Sequence, residues 1–120
     1  MHERRLRNGL RVLIAERHAD PVVAVLLYYR VGALNESAER AGVSHFLEHM
    51  IFKGTEKRSA EDVNRDFDSI GAVNNAFTSA EMTAYWAHLL PENLMSGLDI
   101  LSDIRRPSLR KDDFDSEKKV

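Results

Sequence analysis

The chain has 120 residues, 43% of them hydrophobic and 8% aromatic, which suits one globular domain and is too short for two ordinary ones. Its 17 Lys and Arg against 19 Asp and Glu leave a formal charge of −2, so nothing in the charge balance calls for nucleic acid or an anionic membrane as partner. There is no cysteine, which excludes disulfides and thiolate metal sites; any metal must be held by His, Asp or Glu.

No apolar run approaches the roughly 18 residues that cross a bilayer, and no membrane partner is expected. The basic start, MHERRLRNGL, lacks the apolar stretch of a signal peptide, and a cytoplasmic location is the default expectation. Residues 4–16, RRLRNGLRVLIAE, read as a hairpin in which Asn8-Gly9 supplies the positive backbone angles of a tight turn. The arginines Arg4, Arg5 and Arg7 are read as charges on a surface strand. Pro21 then opens VVAVLLYYR, a nearly continuous apolar run that suits a strand covered on both faces in the middle of a sheet. The polar stretch GALNESAER connects it to a first helix from about residue 40 to Lys53, stopped by Gly54.

Ser59-Ala60-Glu61-Asp62 is a capping signature for a second helix, with Val63, Phe67 and Ile70 at helical spacing and Gly71 at its end. AVNNAFTS and MTAYWAHL predict an antiparallel pair turning around Ala80-Glu81. Pro91 begins a third helix whose Leu94, Leu98 and Leu101 are expected to face inward, and Pro107 closes it. RKDDFDSEKKV reads as the first turns of a fourth helix. The order of elements predicts an α+β fold, with a mostly antiparallel sheet and helices packed on one face.

The chemistry concentrates in the first helix, in SHFLEHMIFKGT, residues 44–55. On a helical wheel Val43, Phe46, Leu47, Met50 and Ile51 form an apolar stripe, while His45, Glu48 and His49 centre on the opposite side. A solvated polar face would produce the same pattern. Two histidines four apart can also converge on one ion, and Glu48 is placed to act on a metal-bound water without ligating the metal. Phe52, one turn further on, falls on the same face. H-x-x-E-H is the inverted form of the H-E-x-x-H zinc motif.

GVSHFLEHMIFKGT, with NGLRV and RVGALNE upstream and NNAFTSAEMTAY and DSEKKV downstream, resembles the family of pitrilysin, insulin-degrading enzyme and mitochondrial processing peptidase. The resemblance runs along essentially the whole chain, and it implies that residues 1–120 are an incomplete N-terminal peptidase domain. It implies a Zn²⁺ cofactor held by His45 and His49, with Glu48 as the catalytic general base and Glu117 as an acidic residue supporting the site. Phe52 and Phe77 match aromatic positions of a pocket for a substrate side chain, and Asn75 and Ala76 match a strand edge that pairs with substrate peptide. The implied activity is a zinc endopeptidase that hydrolyses peptides or unfolded segments through a metal-activated water; the alternative is a non-catalytic peptide-binding or partner subunit of the same fold. The family's third metal ligand, a glutamate, is expected beyond Val120, so the chain alone is expected to be inactive and to need a homologous second half or subunit. Sheet edges and apolar surface left open by such truncation predict a homodimer or exchange of elements between copies.

Overall fold

Asn8 and Gly9 make the first turn: Asn8 Oδ1 accepts from the Leu10 amide at 3.0 Å and Gly9 takes φ +86°, an angle at which a Cβ is strained. They join β1 (His2–Arg5) to β2 (Arg11–Ile14) in an antiparallel hairpin. This computed structural model describes residues 1–119; Val120, which ends the stretch DSEKKV, lies outside the described residues. The hairpin makes a two-stranded sheet of its own, and its apolar side chains Leu6, Leu10, Leu13 and Ile14 are about half exposed.

The second sheet contains β3 (Val23–Tyr29), β4 (Val73–Thr78) and β5 (Thr83–Leu89) in the order β3-β5-β4, with both pairings antiparallel. Here the expectation for the long apolar run is corrected. Among the described residues β3 pairs only with β5 and is an edge strand, while β5 is central and the most buried. Continuous apolarity in β3 reflects two apolar faces of which only one is covered. Val23, Val25 and Leu27 pack on the core, whereas Leu26 and Tyr28 are 45% and 56% exposed.

Helices α1 (Val43–Ile51), α2 (Ala60–Ser69) and α3 (Leu94–Ile104) cover the face that carries Tyr85, Ala87 and Leu89. The core joins those residues to Ile51, Val63, Phe67, Ile100, Leu101 and Ile104. α2 begins as its sequence predicts, with reciprocal bonds between Ser59 Oγ and the Asp62 amide and between Asp62 Oδ2 and the Ser59 amide. The third helix is shorter than expected: Pro91–Asn93 forms a 3-10 turn and α3 starts at Leu94. Its buried stripe is Gly97, Ile100, Leu101 and Ile104, and Leu98 turns outward. Gly97 lies on the core side because its bare Cα lets the helix approach Leu89. α4 (Lys111–Glu117) packs back against α1, with Phe114 meeting Phe46 edge-on at 5.0 Å. No helix among the described residues is long and apolar enough to cross a membrane.

Candidate metal centre

The site helix is shorter at both ends than its sequence predicts. Residues Ala38–Arg40 form a separate 3-10 turn, and Gly42, at φ +89°, reverses the chain into α1. At the far end Phe52 caps the helix, and Gly54 at φ +120° belongs to the following turn, bridged to Ser59. The expected wheel is also rotated. Ser44, Glu48, Met50 and Ile51 are buried, whereas Val43 and Leu47 are 50% and 44% exposed. Glu48 therefore faces the sheet instead of the solvent, because α1 rests on β4 along its 44–48–51 line.

His45 and His49 lie on the exposed flank, with their Nε2 atoms 3.0 Å apart and their rings edge-to-face at 4.7 Å. Glu117, on α4, brings Oε1 to 2.6 Å from His49 Nδ1. When His49 Nδ1–H donates to that carboxylate, Nε2 keeps its lone pair and the ring is held in one orientation. The other Glu117 oxygen lies 3.2 Å from Lys53 Nζ. Hydrogen bonds from His49 and then Lys53 hold the Glu117 carboxyl below the usual carboxylate range. Glu48 accepts a hydrogen bond from Thr78 Oγ1 on β4. One ligand atom each from His45, Glu48 and His49 falls within a 4.8 Å cluster. Two imidazole nitrogens beside a carboxylate, without sulfur, are a donor set that zinc accepts.

The residues matched to substrate positions are divided by the sheet. Phe52 is half-buried against the core, its ring 6.1 Å from that of Tyr85. Burial, and then the neighbouring Glu48 charge, push the Tyr85 phenol well above its usual range. Ala76 is on the same covered face, paired across the sheet with Tyr85. Asn75 and Phe77 alternate to the open face, where Phe77 is 43% exposed beside Ala84 and Tyr28. Phe52 and Phe77 thus do not meet in one pocket. Asn75 Oδ1 accepts the Ala76 amide at 2.8 Å, at the edge of β4 that has no partner among the described residues. No motif in the sequence marks Thr78 or Lys53 as part of the site. Thr78 had a signal, since it follows Ala76 by two along a strand and so shares its face.

Residues 11–120 match the family described as Insulinase (Peptidase family M16). A protein named as an uncharacterized zinc protease of Rickettsia felis is 45% identical over 105 residues, covering 88% of this chain and 26% of that protein. The probable mitochondrial-processing peptidase subunit beta of Arabidopsis thaliana is 41% identical over 103 residues, or 86% of this chain and 19% of that one. Among solved structures, a protease from Helicobacter pylori superposes with a TM-score of 0.92 at 30% identity, covering 98% of this chain and 29% of that one. The chain spans about a quarter or less of the curated relatives it matches here. With its inverted histidine motif, α+β architecture and match over nearly its whole length, the chain belongs to the insulinase family of peptidases, family M16.

Proposed function

We propose that this chain carries the metal-binding and base-bearing part of a zinc endopeptidase that acts on peptides or unfolded segments. The observation that carries this reading is the pair of Nε2 atoms 3.0 Å apart on His45 and His49, with His49 Nδ1 held by Glu117. His45 and His49 would hold the ion, which supplies a Lewis acid that makes water nucleophilic near neutral pH. Glu117 fixes the orientation of His49 and raises its basicity as a ligand. Glu48, anchored through Oε2 by Thr78, keeps Oε1 free to take a proton from the attacking water and pass it to the leaving amine. The edge of β4 at Asn75 and Ala76, which has no partner strand among the described residues, suits pairing with an extended peptide backbone, which tolerates varied side chains. The third ligand is assigned to a glutamate outside the described residues and closure over the peptide to a homologous second half or subunit, and the chain alone is expected to be inactive.

The β4 edge also supports the second reading, a peptide-binding subunit without chemistry. Metal content per chain, measured by mass spectrometry on untagged protein beside a His45→Ala sample, tests the metal site. Near-stoichiometric zinc that is lost in the variant is the expected result, and no zinc in either sample refutes the site in this chain. Glu48→Gln in the assembled peptidase should keep zinc and abolish hydrolysis. Turnover near wild type would remove Glu48 as the base, whereas no turnover in the assembled wild type would favour the binding reading.

A further inference from the structure

The helix that carries His45, Glu48 and His49 has no cap of its own. Its N-cap position is Gly42, which has no side chain, yet the first amides of a helix require acceptors. The acceptor comes from outside the helix. Glu36 Oε2 takes the Ser44 amide at 2.6 Å and Glu36 Oε1 takes the Gly42 amide at 2.8 Å. Ser44 is only 9% exposed, so its N–H has little access to water as a substitute. A carboxylate at this end also opposes the positive pole of the helix. Together the two amides hold the Glu36 carboxyl below the usual carboxylate range, Ser44 contributing most.

The segment that presents Glu36 is fixed at its other end to the sheet. The Ala33 and Leu34 amides donate to the carbonyls of Ser79 and Ala80 at 3.1 and 2.8 Å. Gly32 lies so close to this turn that a Cβ would come within 2.3 Å of the Ser79 oxygen. Ser79 directly follows Thr78, whose hydroxyl holds Glu48. The contacts therefore form a closed circuit: helix start, Glu36, Gly32–Leu34, Ser79–Ala80, Thr78, and Glu48 one turn along the helix. A helix tied to one strand end at two levels can neither slide nor rotate against it without breaking one of these bonds.

We propose that Glu36 is a positioning residue: by clamping the first turn of α1 from the loop it keeps that turn helical and so holds His45 beside Glu48 and His49, one turn further on. The proposal rests on the metal-site reading above for its consequence, but the clamp itself does not depend on metal. Amide hydrogen exchange by NMR on the whole chain compares wild type, Glu36→Ala, Glu36→Gln and Glu39→Gln. The last removes the same charge from the same loop at an exposed position. Zinc affinity is measured on the same four proteins by calorimetric titration with the metal alone.

In Glu36→Ala, exchange at Gly42 and Ser44 should quicken about tenfold relative to Val63 in α2, with zinc affinity falling about tenfold, the lower end for loss of a group that orients ligands. Glu36→Gln retains one acceptor oxygen and should be intermediate, and Glu39→Gln should match wild type. Unchanged exchange in Glu36→Ala, or an equal effect from Glu39→Gln, overturns the clamp. Quickened exchange with unaltered zinc affinity overturns the positioning role. Absence of zinc binding in wild type would defeat the metal-site reading, and exchange alone would then decide the clamp. Should Glu36→Ala not fold, Glu36→Gln gives the same comparison with the shape retained.

Discussion

Replacing Arg58 with Met should destabilise the chain by about 2–4 kcal/mol at neutral pH, and the loss should shrink on acidification. Arg58 is 16% exposed at its side chain and reaches three carboxylates, each at 2.8 Å: Asp66 through Nε, Asp99 through Nη2 and Asp103 through Nη1. The contributions differ with exposure. Asp99 is 72% exposed and its pair is worth at most about 0.5 kcal/mol; Asp66, at 36%, adds about 0.5–1 kcal/mol. Asp103 is only 11% exposed and would keep Thr55 as its single side-chain donor, costing about 1.5–3 kcal/mol. Burial alone would raise the Asp103 carboxyl, but hydrogen bonds from Arg58 and Thr55 outweigh it and leave the carboxyl below its usual range. A depressed carboxylate stabilises the fold above its unfolded value of 3.8, and that contribution fades as pH falls through the lower folded value. Without Arg58 the three carboxylates also repel, and protonation relieves this. Urea unfolding followed by the single Trp86, from neutral pH down to about pH 3, measures the gap between wild type and variant. A gap of the same size at both ends of that range would show that Arg58 acts by packing its stem, not by charge.

Three further outcomes follow from other parts of the fold. Phe67→Ala, at a core position 1% exposed, should cost about 3–5 kcal/mol in the same urea assay; a loss under 1 kcal/mol would mean the α2 face repacks freely. Ser59→Ala removes one half of the reciprocal cap on α2 and should cost about 1 kcal/mol, with Ser59→Asp close to wild type. Gly32→Ala forces backbone atoms of Ser79 and Ala80 to move and should lower the thermal midpoint by an amount equivalent to about 1–3 kcal/mol, whereas Gly71→Asn, at φ +64° with open space around its Cα, should be tolerated.

Much of this protein is written locally. The cap on α2 needs only Ser59 and Asp62 three apart, and the first turn needs only Asn8-Gly9, so sequence alone determined both. The helical spacing of His45, Glu48 and His49 likewise guaranteed that their ligand atoms could approach one another, since residues three and four apart are neighbours on any α-helix. Hydrophobic pattern was less decisive. β3 and β5 are both apolar runs, and whether such a strand is central or at an edge depends on which strands pair beside it, a long-range choice that composition does not encode.

The tertiary structure decided the rest, and it decided the site. Packing of α1 on β4 turned Glu48 inward to Thr78 and left Leu47 outside, although a helical wheel cannot tell which stripe of an all-round mixed helix meets the sheet. His49 and Glu117 are 68 positions apart and meet only because α4 folds back along α1. Glu36 and Ser44 are eight apart across an irregular loop, a separation at which no regular period brings side chain to amide. Phe52 and Phe77 were separated by the same physics, because alternation along β4 sends Phe77 to the face that no helix among the described residues covers. Sequence determined which groups the helix offers; chain packing determined what each of them touches.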